Sequence, residues 1–446
     1  MSAYLELLIV LILILPLAWL ISKQNTLVAF FGTTLISLAL RWWLIWFTPE
    51  LNTNIDLLMY MDGGQLTAMG INPYDYEDSK EIRNQLRKDD YAYQDYTAQS
   101  QEIWDYCAAS HLPLTQLNLA LIYKLFYSPE GFRYYFAFFD AILCGIIYLF
   151  IIKNWKLKDN IKFFANIVVG ICSPFLISWS IVNPGDKGTE TLLMLLFLLL
   201  IYDNSKTNFL YWSALVIGVA IAYKAVAAFL IPIAIIRLWQ KKSDMHSFIK
   251  MSFIFGIITF SIVFISFLPF IPEVLYPMIQ RFEHGSSASM PLHSSVWRVF
   301  HLLLPEHWRI MQIISVLGLF LLSAKDAFRD SFKKVDLFCG NLLWIFIVLV
   351  LITSGVDRMN MAFIVCILIL CKYCSSQQAV ALLICYTITG LIILFYPLVK
   401  HILMLKGLFG DINFIESIMC LILTVTYFGI AFSLKQNHVP QPSRNH

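Results

Sequence analysis

Apolar residues along this chain come in long unbroken runs, and polar residues are confined to the short stretches between them. Runs cover 3–22, 27–47, 133–152, 163–182, 249–271, 337–354, 379–398 and 413–434, with shorter ones at 111–127, 189–202, 209–223, 225–239, 310–324 and 361–374. A hydrocarbon core about 30 Å thick needs about 20 apolar residues per helical crossing, because backbone groups there must satisfy one another. Period-2 alternation is absent, which argues against a β-barrel. The pattern predicts an all-α polytopic membrane protein with about 13 transmembrane helices. Composition agrees: 59% of residues are hydrophobic and 14% charged, against about 25% charged in soluble domains. The run 3–22 has no basic stretch before it and no small-residue cleavage site after it, so it reads as a retained span rather than a signal peptide.

Charge changes this picture by orienting it. Short loops rich in Lys and Arg mark the cytoplasmic side. Such loops are 153–162 with Lys153, Lys156, Lys158 and Lys162, then 240–250 with Lys241, Lys242 and Lys250, and 325–336 with Lys325, Arg329, Lys333 and Lys334. Placing these inside puts 183–188, Lys224, 272–309, 355–360 and 399–412 outside. The long loop 48–110 joins that outer face, since its twelve acidic residues against four basic ones suit the non-cytoplasmic side. Its stretch 77–105, with Tyr91, Tyr93, Tyr96 and Trp104, fits juxtamembrane helices at the interface or a polar loop. The segment 111–127 contains Pro113, Gln116, Asn118 and Lys124. A full crossing there would break the alternation of basic loops, so its path is left open between a span and a re-entrant or broken helix. Residues 1–240 form one expected module and 241–446, with the outer loop 272–309, a second.

Ionisable groups near membrane depth are costly and are functional candidates for that reason. They gather on the outer face. Asn54, Asp56 and Asp62 follow the second span. Gly70-Ile71-Asn72-Pro73-Tyr74 makes a turn back to the surface. Asn183 through Glu190 includes Asp186 and Lys187, Lys224 stands between two apolar segments, and Asp357-Arg358 follows 337–354. The loop 272–309 adds Arg281, Glu283, Arg298 and four histidines. Each has a plain structural alternative: Asp62 as a helix cap, Asp186 and Lys187 as a local ion pair, Lys224 snorkelling to headgroups alone, Asp357-Arg358 as a structural pair. The histidines lack ligand spacing, and the cysteines form no CxxC pair in a loop, so neither a metal site nor a disulfide framework is indicated. No nucleic-acid motif occurs.

An acid at the surface together with buried cations suits a substrate with a lipid tail and a phosphate. Cations stabilise charge on a departing phosphate, and a carboxylate takes the proton of an attacking hydroxyl. Thr53-Asn54-Ile55-Asp56, Asp62 and Gly70-Ile71-Asn72-Pro73-Tyr74 resemble the first luminal loop of GT-C glycosyltransferases. The likeness is greatest to the GPI first mannosyltransferase and bacterial glycosyltransferase family 87. It continues in Phe138-Phe139-Asp140, in Asn183 through Glu190, and in Gly218 through Lys224, over about the first 240 residues. The resemblance implies a GT-C-like bundle with a long first outer loop. It also implies transfer of a mannose-like sugar from a polyprenyl-phosphate donor to a lipid or glycan acceptor on the non-cytoplasmic face. The family's acidic pair falls on Asn54 and Asp56, so the first acid is replaced. Some 30 additional residues separate Tyr74 from His111-Leu112-Pro113-Leu114.

The expected roles are then Asp56 as general base and Asp62 as its helper. Asn54, Tyr74, Asp186, Lys187, Lys224, Arg281 and Arg358 would bind substrate, with Asp56 facing Lys224 across a one-sided cavity. No cofactor is called for. An O-antigen-type polymerase or ligase and a flippase or transporter for lipid-linked sugars are the competing classes. No Asn-x-Ser/Thr sequon occurs, which favours a bacterial plasma membrane over the endoplasmic reticulum.

Overall fold

The computed structural model describes residues 2–49, 55–75, 111–154, 157–177, 180–181, 184–202, 209–241, 244–275 and 303–315, with scattered positions elsewhere between 297 and 391. The regular structure among those residues is all helical, with no strand. The helices are α1 (Ser2–Ser22), α2 (Thr26–Phe47), α3 (Ile55–Ala68), α4 (Pro113–Phe126), α5 (Pro129–Asn154), α6 (Asp159–Ala165) and the single turn α7 (Pro174–Ile177). They continue with α8 (Lys187–Tyr202), α9 (Phe209–Tyr223), α10 (Ile231–Lys241) and α11 (Met245–Phe267). Among them Thr26–Phe47, Pro129–Lys153 and Met245–Phe270 are long and apolar enough to cross a membrane. The chain is a membrane protein. On α11 the exposed residues Ile249, Phe253, Ile257, Phe260 and Phe264 recur at helical spacing, an apolar stripe that suits lipid rather than water. The expected spans 337–354, 361–374 and 413–434 lie outside the described residues, as does the stretch 77–105.

Two segments depart from the expected pattern. The run 163–182 was expected as one span, but it is interrupted. The α-helix ends at Ala165, a π-helical turn covers Asn166–Ile171, and Cys172 leaves the helix at φ −102°, ψ 28°. Pro174 is the physical reason: it has no N–H to donate and disfavours helical backbone at the residue before it. The segment 111–127 is a single unbroken helix of 14 residues. At 1.5 Å per residue it measures about 21 Å, short of the hydrocarbon thickness. Pro113 opens it, and Tyr127 closes it in a left-handed conformation at φ 54°, its N–H bonded to the Tyr123 carbonyl.

The chain forms two compact units. The first draws on Met1–Ser37, Ala141–Phe175 and Ser289–His446, the second on Leu38–Asp140 and Leu176–Ala288. In the first, the π-helical turn aims Asn166 at its neighbours. Its amide donates to the Ala18 carbonyl at 3.1 Å and its oxygen accepts from Thr33 at 2.8 Å. The second unit carries most of the candidate residues. Its core joins Leu57, Tyr60 and Met61 of α3 with Leu119 and Ile122 of α4 and with Phe132 and Phe136 of α5. Arg133, fully buried on α5, donates to the carbonyl and hydroxyl of Thr48 at 2.8 Å each and to the Ile181 carbonyl at 3.3 Å. That clamp fixes the chain just before the turn leading into α8.

The α3–α4 contact depends on the absence of two side chains. A Cβ on Gly64 would meet the Leu119 carbonyl oxygen at 2.6 Å, and one on Gly63 would meet the tip of the Gln116 side chain at 2.5 Å. Backbone cannot move aside without shifting the helix, whereas a side-chain tip can rotate away. Gly64→Ala should therefore destabilise by about 1–3 kcal/mol through overpacking, and Gly63→Ala by less. Thermal unfolding of the two variants in detergent checks the order, and equal melting temperatures would contradict it.

Candidate functional site

Four separate chain segments of the second unit meet at one carboxylate. Asp186 sits immediately before α8, with its carbonyl accepting from the Glu190 N–H at 3.1 Å, and its side chain is fully buried. Its Oδ1 accepts from the Lys224 ammonium at 2.8 Å and from the Tyr60 hydroxyl at 3.0 Å. Glu190, one turn further along α8, places Oε2 at 4.0 Å from the same Lys224 nitrogen. His111 closes the ring: its imidazole lies 4.7 Å from the Tyr60 ring, centroid to centroid, and its charge acts on Asp186.

Lys224 reaches this position because the helix stops beneath it. The backbone is helical through Tyr223, extended at Lys224 (φ −147°, ψ 123°), and resumes as a 3-10 turn over Ala225–Leu230. The break exposes a carbonyl at Tyr223, and the buried Thr115 hydroxyl on α4 donates to it. The Tyr223 hydroxyl accepts from Asn118 at 3.3 Å, and Asn118 accepts from Tyr135 at 2.8 Å. Thr115 of α4 thus replaces the helical bond that the Tyr223 carbonyl loses at the break, as buried backbone requires.

Burial alone would push the Asp186 carboxyl upward. The neighbouring charges of Lys224 and His111, with the hydrogen bonds from Lys224 and Tyr60, outweigh it and hold the group below the ordinary carboxylate range. Asp186 is therefore an anion at neutral pH.

Beside this cluster lies a second polar layer in the same unit. Asp140 on α5 and Arg41 on α2 are both fully buried within apolar helices. The nearby Ser180 hydroxyl donates to the Leu176 carbonyl at 2.8 Å, and Arg41 and Lys187 act on Asp140 with positive charge. Gly188 makes room for it: a Cβ there would stand 1.8 Å from Asp140 Oδ1. The carboxylate lies against the first turn of α8, where the helix dipole also favours negative charge.

The expected site residues fall as follows. Lys224 is expected to bind the donor phosphate opposite Asp56, with solitary snorkelling as its plain alternative, and Asp186 with Lys187 is read as a possible local pair. The structure instead pairs Asp186 with Lys224, and Lys187 turns its charge toward Asp140. Asp62 is buried on α3 at 4% exposure. Tyr74 is equally buried, packed edge-on against Phe270 at 5.3 Å, with its hydroxyl donating to the His111 carbonyl at 2.5 Å. Asp56 occupies the first turn of α3. Asn54, the Asp56 side chain, Arg281 and Arg358 lie outside the described residues. No group of three His, Cys, Asp or Glu side chains able to hold a metal occurs among the described residues.

Sequence reasoning passed over Tyr60 and Arg41, and it gave Asp140, Glu190 and His111 no role of their own. A signal for Arg41 was present: a guanidinium in the middle of the apolar run 27–47 is costly wherever it points. For Tyr60 there was none, because a tyrosine in an apolar stretch is ordinary core. No protein-family model, curated protein or solved structure matches this chain.

Two outcomes test the pairing. Lys224→Met leaves a buried carboxylate without its closest cation and should destabilise by about 3–5 kcal/mol. The double variant Asp186→Asn/Lys224→Met removes both charges and should recover most of that loss. Differential scanning measurements in detergent give the order, and a double variant no more stable than the single one would contradict it. Asp186 has a folded-state pKa below its unfolded one, so its contribution is present above the unfolded value of about 3.9 and lost as pH falls through the folded value. The melting-temperature difference between wild type and Asp186→Asn should accordingly not shrink from neutral pH down to about 4. Shrinkage of that difference already near pH 6 would contradict it.

Proposed function

We propose that this chain is a membrane glycosyltransferase that moves a mannose-like hexose from a polyprenyl-phosphate donor to a lipid-linked or glycan acceptor on the non-cytoplasmic face. The observation that carries this reading is the unequal exposure of the central ion pair. Asp186 is fully buried and Glu190 is 5% exposed, while the Lys224 side chain keeps 25% of its surface. The acids are sealed and the lysine side chain is not, so an arriving ligand meets the lysine before either carboxylate. A lysine locked by a carboxylate and a helix break is preorganised, and such a group stabilises charge on a leaving phosphate without reorganising. Lipid-facing apolar helix surfaces beside it suit a prenyl tail.

Asp56 is the base in this reading. It precedes Tyr60 by four residues in α3, so the two positions share a helix face, and Tyr60 is the residue that reaches Asp186. The acceptor hydroxyl loses its proton to Asp56 and its oxygen attacks the anomeric carbon. The bond from that carbon to the phosphate oxygen breaks, and its electron pair leaves with the phosphate beside Lys224. Configuration at the sugar carbon inverts. Asp62 orients the base, and Lys187 contributes positive potential. The order of motifs from Thr53 to Lys224, similar to that of GT-C enzymes, supports the same reading.

The helix interruption at Lys224 favours a second reading. Transporters line their sites with broken helices, and a lipid-linked sugar carrier would do so here. Transfer of radiolabelled mannose from polyprenyl-phosphate mannose to a lipid extract, by protein reconstituted in vesicles, separates the two. Under the enzyme reading, wild type transfers label. Lys224→Gln lowers the rate by about 10²–10³ and Asp56→Asn by about 10²–10⁴. Full activity in a normally inserted Asp56→Asn protein would overturn the assigned base. Donor translocation without any transfer would favour the carrier.

A further inference from the structure

We propose that α3 and α4 lie as an antiparallel pair along one membrane face without crossing the bilayer, and that the exposed side of α4 is seated among the phospholipids of that leaflet. The proposal concerns the place of the chain in the membrane and is independent of the glycosyl-transfer reading.

Contacts within the second unit fix the level of both ends of the pair. Thr26–Phe47, Pro129–Lys153 and Met245–Phe270 are each long and apolar enough to cross, so their ends mark membrane faces. Arg133, near the start of α5, bonds Thr48 just past α2 and also the Ile181 carbonyl shortly before Asp186. Asp186 in turn holds Lys224, just past α9. Helices α9 and α11 run parallel, since Thr259 donates to the Ala214 carbonyl at 3.2 Å and Gly218 lies against Ile262. The ends of α2, α9 and α11 and the starts of α5 and α8 therefore share one face.

The pair stretches between these marks. At its base, Leu57 near the start of α3 and Ile122 near the end of α4 pack with Phe132 of α5. At its tip, the turn after α3 meets the start of α4 through the Tyr74 hydroxyl and the His111 carbonyl. The tip is tied to the ends of α11 and α9: Tyr74 packs on Phe270, the Asn72 amide donates to Glu273 at 3.1 Å, and Thr115 donates to the Tyr223 carbonyl. Base and tip thus join the chain at the same face, which a crossing helix cannot do. A helix about 21 Å long is suited to lie along that face.

The outward side of α4 has the composition of a membrane interface. Leu117, Leu121 and Leu125 are exposed at four-residue spacing, which puts them in one row. Exposed Phe126 and Tyr127 extend the row, and Lys124 is exposed beside it. Apolar side chains with a basic neighbour fit the boundary between acyl chains and phosphates. Trp42 and Trp46, both exposed toward the end of α2, mark the same level, because tryptophan gathers at membrane interfaces. Helix α4 also packs on α11, whose exposed stripe faces lipid. Tyr60 and Thr115 of the pair reach the Asp186–Lys224 cluster, so the cluster lies near headgroup depth.

The test uses the full chain in phospholipid vesicles, with a fluorophore attached through a genetically encoded azide at Met69, Leu121 or Tyr127, all exposed. Met245, at the opposite end of α11, serves as the reference. Quenching is read with phospholipids spin-labelled at the headgroup or deep in the acyl chain, introduced into one leaflet. Met69, Leu121 and Tyr127 should all be quenched from the same leaflet, and more by the headgroup label, with Met245 quenched from the other leaflet. Quenching of Met69 and Tyr127 from opposite leaflets would overturn the proposal and make α4 a crossing helix. Stronger quenching of Met69 by the deep label, with Tyr127 shallow, would overturn it in favour of a re-entrant pair. Absence of quenching at Leu121 by either label would overturn the lipid contact. A fluorophore at Leu117, in the same row, reads the same contact where labelled Leu121 protein fails to insert.

Discussion

An ammonium and a carboxylate that meet away from water constrain each other completely: neither is tolerable alone, and each fixes the place of the other. In this protein the pair is Lys224 and Asp186, 2.8 Å apart, and most of the surrounding unit can be understood as what their meeting requires. The helix carrying Lys224 must stop so that the side chain can turn inward from an extended backbone. The stop leaves a carbonyl that α4 must satisfy through Thr115. A second lone pair on Asp186 Oδ1 calls for α3 to lie close enough for Tyr60 to donate. Close approach of α3 to α4 in turn requires Gly63 and Gly64. The chain of dependence runs from one ion pair through three helices to two residues without side chains.

Behind the pair sits a second charge layer that anchors the same turn from its other end. Asp140 reaches the start of α8 at Gly188 and is acted on by the charges of Arg41 and Lys187, while Arg133 ties Thr48 to Ile181 just upstream. A loop that would otherwise be held only by local bonds is therefore pinned by charges from α2 and α5. Such redundancy suits a site that must keep its geometry when an anion arrives, since a preorganised cation gains its advantage by not moving. The exposure gradient, with acids sealed and cation accessible, follows from the same arrangement rather than from any single residue.

These features set the proposed chemistry apart from a plain structural ion pair in one respect. A pair made only for stability gains nothing from a partly exposed lysine side chain, and the break at Lys224 leaves α9 at 15 residues, with unpaired backbone for another helix to satisfy. Helix interruptions with compensating polar partners recur where membrane proteins handle polar ligands. The same reasoning explains why the carrier reading competes with the enzyme reading: both need an irregular, polar place between helices, and they differ in whether a bond is broken there.

What the chain's own pattern determined was the solvent it lives in and where its polar chemistry gathers. Apolar runs of span length, Pro113 and Pro174 as helix punctuation, and ionisable groups at 186–190 and 224 are all local facts, legible because burial in hydrocarbon and backbone self-satisfaction act on contiguous residues. The pattern did not show that 163–182 breaks at Cys172, although Pro174 carried the reason, since an apolar average hides a kink. Nor did it show that Lys224 has a partner. Asp186 lies 38 residues away, and local spacing suggested the adjacent Lys187 instead. Ion pairs across helices are decided by which faces pack together, and that depends on side-chain volumes at positions such as Gly63, Gly64 and Gly188 that look featureless along the chain. Tyr60 and His111 became part of the site for the same reason: tertiary packing, through contacts whose ranges in sequence are long, brought an ordinary core tyrosine and an unremarked histidine to a buried carboxylate.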